Sequence, residues 1–156
     1  MLKIGRYLNG GFRFTVKIQV SQTEQVYLAE VTGNQTFAIF EEKTMRKIAK
    51  CKTYYPKFLD ALLFSKKTKI EVSAIQNEGC ILNGHYDNGF YVFEKDGAAF
   101  FISRSPFKRK ILDFKGAEVP VKRESFFSWT YCFQIETASF EDIVLCTYAY
   151  LLWDAS

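Results

Sequence analysis

From Ile143 to Trp153 the chain reads IVLCTYAYLLW, a run in which only Thr147 is neither apolar nor aromatic. Ser139 ahead of it is a good N-cap with Asp142 three residues on, so the run is expected to be helical. A surface helix carries one apolar stripe, whereas this one is apolar on every side and too short to cross a bilayer. It has to be surrounded by protein. No second long helix is available to form a bundle, so the surroundings are expected to be sheet. A closed antiparallel β-barrel of many strands has a lumen wide enough to need such a filling. The competing arrangement is a helix packed between an open sheet and a dimer partner.

The rest of the chain reads as strands. Phe12, Phe14, Val16, Ile18 and Val20 alternate with Arg13, Thr15, Lys17 and Gln19, the period of a half-buried strand. Further strands are predicted at 25–31, 36–40, 69–75, 79–86, 90–95, 99–103, 108–114, 117–124 and 127–136. Thr32-Gly33-Asn34, Asn77-Glu78-Gly79, Asp87-Asn88-Gly89 and Asp96-Gly97 separate them as turn signals. Many short strands at this spacing indicate a barrel or sandwich. The aromatic share of 17% and only three prolines favour the same class, and 156 residues suit one domain over 1–156 with a substantial core.

An internal repeat settles one ambiguous segment. Residues 36–50 lie over 89–103 at a constant offset of 53, matching Phe37 to Phe90, Ile39 to Val92, Phe40 to Phe93, Glu41 to Glu94 and Ile48 to Phe101. Met45, Ile48 and Ala49 could form a helical face, but their counterparts belong to a hairpin, so 43–51 is predicted as strand. A short helix over 55–64 is expected from Pro56 in its first turn and the apolar face of Phe58, Leu59, Leu62 and Leu63.

In its carboxyl half the chain resembles the tubby C-terminal-like superfamily, which includes phospholipid scramblases, plant LURP-one-related proteins and small bacterial members. The likeness lies in four places in order: ILNGHY with Gly84; GFYVFEKDGAAFFISR with the Asp96-Gly97 turn; SWTYCFQIE with Trp129 and Tyr131; and DIVLCTYAYLLWD with Asp142 and Asp154. It covers roughly 69–154. The resemblance implies a closed barrel of about twelve antiparallel strands around a central hydrophobic C-terminal helix, agreeing with the argument from the apolar run. It also implies a lipid-facing, non-catalytic function, although no functional residue of the family can be carried over position by position.

The residues offer little chemistry. His85 is the only histidine, which excludes a His-based metal cluster, and its place in LNGHYDNG suits a turn-side imidazole better than a catalytic base. No nucleophile elbow, phosphate loop or dinucleotide fingerprint is present, so neither an enzyme nor a cofactor is expected. Glu41-Glu42 and Glu141-Asp142 are adjacent acids that do not converge on one pocket, and the second pair suits a first helical turn. Cys51, Cys80, Cys132 and Cys146 are spaced by 29, 52 and 14 residues, unlike a zinc ribbon or a thioredoxin motif, and are expected as reduced, buried thiols.

The net charge of +4 permits weak attraction to anions without requiring it. No signal peptide or transmembrane run is seen, so a cytoplasmic protein, peripheral to a membrane at most, is expected. Basic residues cluster at Lys43, Arg46, Lys47, Lys50 and Lys52; at Lys66, Lys67 and Lys69; and at Arg104, Lys108, Arg109 and Lys110. The third cluster is the candidate lipid site, because SRSPFKRK sets Phe107 beside four cations, an apolar residue able to enter an interface whose headgroups the cations meet. Nucleic acid is the weaker partner, since no ribonucleoprotein signature is seen. The expected function is a non-catalytic module binding anionic phospholipid or a membrane-associated protein; the alternative is a scaffold that binds protein and no lipid. A carrier of small apolar ligands is disfavoured because the helix fills the lumen.

Overall fold

Alternating apolar residues need a surface to cover, and the computed structural model shows one sheet laid against one helix. It describes residues 1–7, 15–33, 36–54, 69–74, 81–136 and 138–154. In chain order the described elements are β1 (Leu2–Tyr7), β2 (Thr15–Val20), β3 (Gln25–Gly33), β4 (Thr36–Glu41), β5 (Lys47–Tyr54), β6 (Lys69–Ala74), β7 (Ile81–Asp87), β8 (Phe90–Lys95), β9 (Ala98–Ser103), β10 (Ile111–Leu112), β11 (Val121–Arg123), β12 (Tyr131–Phe133) and α1 (Phe140–Asp154). The strands form a single twelve-stranded antiparallel sheet in the order β10-β9-β8-β7-β6-β5-β4-β3-β2-β1-β12-β11. The helix expected over 55–64, residues 12–14 of the first predicted strand, Lys66, Lys67 and Cys80 lie outside the described residues.

The sheet curls round the helix. Trp153 of α1 donates its indole N–H to the Ser103 carbonyl on β9 at 2.8 Å and stacks on Phe133 of β12, ring centres 6.4 Å apart. Those strands stand nine places apart in the order. In a flat sheet they would be about 43 Å apart at ~4.8 Å per strand, against a helix about 10–12 Å across. Side chains from β1 to β10 and from β12 join α1 in one buried cluster, in which Ile4, Ile18, Ile39, Ile70, Phe93 and Phe100 are fully buried. From Ile143 to Leu151 every residue of α1 is buried, and Trp153 with them. The expectation of a closed barrel is met in part: β10 and β11, the ends of the order, share no ladder, and only the isolated bridge Leu112↔Glu118 lies at that seam.

Within α1 the polar groups find partners locally. Ser139 Oγ accepts from the Asp142 N–H at 3.2 Å while the Asp142 carboxylate accepts from the Ser139 N–H at 3.0 Å, the reciprocal cap expected from the sequence. Thr147 donates to the Ile143 carbonyl one turn back, at 2.7 Å. Gly84 on β7 lets Phe93 lie flat across the strand, since an added Cβ would sit 2.6 Å from that ring. Phe93 in turn meets Tyr148 of α1 edge to face at 5.4 Å.

Two hairpins fall where the turn signals put them, whereas Asn77-Glu78-Gly79 and Asn34 lie outside the described residues. Asn88-Gly89 and Asp96-Gly97 both take left-handed φ, as tight two-residue turns between twisted strands require. The strand predicted over 43–51 is found at 47–54, with 43–46 in the turn that precedes it, and both repeated segments are hairpins. The offset of 53, however, aligns buried Phe37 and Ile39 with Phe90 and Val92, which share a face opposite to Tyr91 and Phe93. One residue further along brings Phe37 and Ile39 onto Tyr91 and Phe93, the ring pair that contacts Tyr148. A one-residue slip exchanges the two faces of a strand, so the repeat carries the hairpins but not their register. β1 was not predicted: Gly5 and the inward-facing Arg6 interrupt its short alternation.

Two outcomes follow from burial. Leu145 is fully buried, so Leu145→Asp places an unpaired charge in the core, costing on the order of several kcal/mol and abolishing the cooperative thermal transition; an unchanged circular dichroism spectrum and melting curve would contradict an enclosed helix. Burial also pushes the thiols of Cys51 and Cys146 well above their ordinary value, and both are unbridged. Folded protein therefore resists ionising them, and stability falls as pH rises past the ordinary thiol range. Native protein at pH about 8 is expected to react with thiol reagents at these positions only as fast as it unfolds, which mass spectrometry of the labelled residues measures.

Candidate functional site

The last turn of α1 gathers three parts of the chain at one end of the sheet. Tyr150 donates its hydroxyl to the Trp129 carbonyl at 2.8 Å, in the segment 124–130 joining β11 to β12. Trp153 holds Ser103, from which the loop 104–110 departs toward β10. Asp154 accepts from Arg6 of β1 at 3.0 Å. Each loop is closed at its base by a backbone bond, Ser103 N–H to the Lys110 carbonyl and Glu124 N–H to the Thr130 carbonyl, both 2.9 Å. The Ser103 hydroxyl also bridges Lys108 and Lys110 across the first loop.

Into this frame fall the residues predicted as a lipid site. Arg104, Phe107, Lys108, Arg109 and Lys110 are all exposed, with Phe107 96% exposed. Lys108, Arg109 and Lys110 were read as the start of a strand; they belong to the loop, and the strand is only Ile111–Leu112. Arg104 lies over the Tyr86 ring, 5.4 Å from its centre. Arg109 reaches back across the seam to the Tyr131 ring, 4.8 Å from its centre, which brings the loop against β12.

The strand predicted over 127–136 shortens to Tyr131–Phe133, and what precedes it is a second exposed aromatic loop that sequence reasoning missed. Phe126 and Phe127 are 83% and 89% exposed and meet each other edge to face at 5.1 Å, and Trp129 is half exposed. Aromatic residues favour strands, so RESFFSWTY reads as sheet. The one contrary signal was the FF pair set among Ser and charged residues.

Guanidiniums and aromatic rings alternate below these tips. Arg6 lies 4.1 Å over the Trp129 ring, Arg123 stands 6.0 Å from Trp129 and 5.6 Å from Tyr131, and Arg109 covers Tyr131. Arg123 also donates Nε–H to the Tyr131 hydroxyl at 3.2 Å. Five side chains from β1, β11, β12 and both loops thus form one cation–π series. Beneath it the Asp154 side chain is 2% exposed, and its second oxygen, Oδ1, has no hydrogen-bond partner among the described residues. A carboxylate at a helix C-terminus is disfavoured by the dipole, and the Arg6 guanidinium offsets this. Burial, and then the Asp154 charge, push the Tyr150 phenol well above its ordinary value.

Elsewhere the predicted candidates serve structure. Lys47, Lys50 and Lys52 line the outer face of β5, where the charges of Lys52 and Lys47 lower the Lys50 ammonium. Thr44 and Arg46 bond the Glu41 carboxyl and hold it below the usual carboxylate range. Glu141 pairs with Lys95 and Asp142 caps α1. His85 stands exposed on β7 opposite Val92. At the opposite end of the sheet Asp113, Glu118, Glu136 and Asp142, with Lys115 as the one cation, line a cleft of about 550 Å³ that is acidic on balance. Among the described residues no group of three or more His, Cys, Asp or Glu could hold a metal ion, and no helix is long and apolar enough to cross a membrane. The chain matches no protein-family model, no curated protein and no solved structure.

Removing Arg6 leaves Asp154 charged and buried without the bond at 3.0 Å. Arg6→Ala is expected to lose about 1–3 kcal/mol, a fall of several degrees in Tm. Asp154→Asn, which leaves the half-exposed guanidinium to water, is expected to lose less. Thermal melts of both variants and of the double variant check this; an Arg6→Ala protein as stable as wild type would show that the pair contributes nothing.

Proposed function

We propose that the protein is a non-catalytic module of tubby C-terminal-like type that attaches reversibly to anionic phospholipid surfaces, peripheral to the membrane on its cytoplasmic side, through the end where α1 finishes. One observation carries the reading: Phe107 on one loop, and Phe126 and Phe127 on the other, stand almost wholly exposed at the same end, with Arg104, Lys108, Arg109 and Lys110 beside them. Exposed apolar tips backed by cations suit an interface, where rings enter the acyl boundary and cations meet headgroups. Each cation near such a surface contributes roughly 1 kcal/mol, and each phenylalanine up to roughly 2 kcal/mol if its ring is covered. Either contribution alone is marginal; together they support reversible attachment. The barrel itself is proposed closed, supported at the seam by Val119 N–H to the Ile111 carbonyl and Gln134 N–H to the Pro120 carbonyl, which tie 118–120 to β10 on one side and β12 on the other.

Co-sedimentation with phosphatidylcholine vesicles, with and without phosphatidylglycerol, tests the reading. Binding is expected only with the anionic lipid and is expected to fall steeply as ionic strength rises from about 0.05 to about 1 M. Replacing Arg104, Lys108, Arg109 and Lys110 by Ser should abolish it, and replacing Phe107, Phe126 and Phe127 by Ser should weaken it, neither lowering Tm. Half-exposed Trp129 reports insertion as a blue shift of its emission against the constant signal of buried Trp153. Wild-type protein that stays in the supernatant with anionic vesicles at low salt overturns the lipid reading and leaves the protein-binding scaffold.

A further inference from the structure

The two ends of the molecule carry opposite charge, and each also carries apolar surface. α1 begins at the cleft and finishes between the two loops, so a helix of 15 residues, about 22 Å long, separates them. At the cleft Phe114 and Ile135 are half-buried walls, and Asp113, Glu118, Glu136 and Asp142 stand round them with Lys115. None of these four carboxylates forms an ion pair among the described residues, whereas Glu41, Glu124 and Glu141 each hold a cation. A cleft of this kind suits a ligand that is apolar at its centre and cationic around it. Phe107 answers that description: it is 96% exposed, and Arg104, Lys108, Arg109 and Lys110 all lie within three residues of it in the chain. Phe126 and Phe127 follow Glu124 and fit less well.

We propose that the loop 104–110 of one copy docks by Phe107 in the cleft of a second copy, so that chains associate reversibly head to tail. Charge decides against the other pairings. Two basic ends meeting face to face would set Arg104, Lys108, Arg109 and Lys110 against their own copies, and two clefts would set carboxylates against carboxylates. Only the basic loop on the acidic cleft brings opposite signs together. The two surfaces differ, so a docked pair still leaves one of each kind open and further copies can add, unlike a two-fold dimer. The exposed rings at the basic end offer roughly 500 Å² between them, short of the ~800 Å² that each partner buries in a stable complex. The contact is therefore weak, with a dissociation constant expected between about 1 µM and about 1 mM. A docked Phe107 is hidden from a membrane, so association and the vesicle attachment proposed above exclude each other. The docking itself does not rest on that reading.

Sedimentation velocity from about 10 µM to about 1 mM protein, at about 0.02 and about 0.5 M salt, tests the docking. The weight-average sedimentation coefficient of wild-type protein is expected to rise with concentration at low salt, and the dissociation constant to increase about tenfold or more at high salt. Two double variants remove one surface each: Phe107→Ser with Lys108→Ser, and Glu118→Gln with Glu136→Gln. All four residues are exposed, so Tm is expected to stay unchanged. Each variant alone is expected to remain monomeric. Mixed, they are expected to form a one-to-one dimer and nothing larger, because the intact cleft of the first takes the intact loop of the second and no further contact is left. Wild-type protein that stays monomeric at about 1 mM in low salt overturns the docking, as does a mixture of the variants that stays monomeric. Association that both variants keep overturns it in favour of a symmetric contact through Phe126 and Phe127. Vesicle co-sedimentation is read separately. Protein that associates but ignores anionic vesicles supports the docking and rejects the membrane reading; protein that binds vesicles but never associates does the reverse.

Discussion

A helix with no polar face cannot rest on a surface, and the fold is arranged around that constraint. From Ile143 to Leu151 α1 gives up water on every side, so the sheet has to curl until strands nine places apart in its order both touch Trp153. Each inward position then becomes a contact with the helix or with a neighbouring strand. This explains why the inward rows are Ile, Val, Leu and Phe, and why Gly84 leaves its place to the ring of Phe93. A ring that meets Tyr148 needs room that a Cβ on β7 would take, and the glycine follows from the helix.

Enclosing a helix moves its polar demands to its two ends. At the amino end Ser139 and Asp142 satisfy each other and the first turn, and the neighbouring carboxylates give that end a negative surface. At the carboxyl end Tyr150, Trp153 and Asp154 each take a partner from a different part of the sheet or its loops. These bonds satisfy buried groups and also fix where the loops 104–110 and 124–130 begin. The exposed surface is therefore positioned by the core.

Much of this was legible in the sequence, for reasons that also mark where legibility stopped. An apolar run without a polar face, alternation as in Val16, Ile18 and Val20, and Asn-Gly or Asp-Gly turns are local signals with one physical meaning each, and the helix, the strands and the hairpins followed from them. Phe107 with its cations was visible because apolar and basic residues are adjacent in the chain. Phe126, Phe127 and Trp129 were lost because aromatic content signals both a strand and an exposed loop, and only burial separates the two. Arg6 was invisible for another reason: its partners Trp129 and Asp154 are more than a hundred residues away, and nothing local marks an arginine at the end of a short strand. The approach of the two ends of the sheet order rests on the bonds of 111–113 with 117–119, Val119 N–H to the Ile111 carbonyl and Asp113 N–H to the Ala117 carbonyl, which no periodicity encodes.

The division between core and end bears on how the molecule can change. Stability resides in the helix and the inward rows, whereas Phe107, Phe126, Phe127 and the basic loop residues contribute little to it because water already surrounds them. An end of this kind can alter its charge or its aromatic tips without disturbing the fold. The exception is the series Arg6, Trp129, Arg123, Tyr131 and Arg109, which runs from the buried Asp154 to the surface. Its inner members satisfy the core, and its outer guanidiniums, Arg109 and Arg123, are exposed. Substitutions along it are expected to couple, since Arg6 and Arg123 share Trp129 while Arg123 and Arg109 share Tyr131. The placement of the two outer guanidiniums is then linked, through Trp129 and Tyr131, to a buried carboxylate at the end of the helix that the sheet curls round.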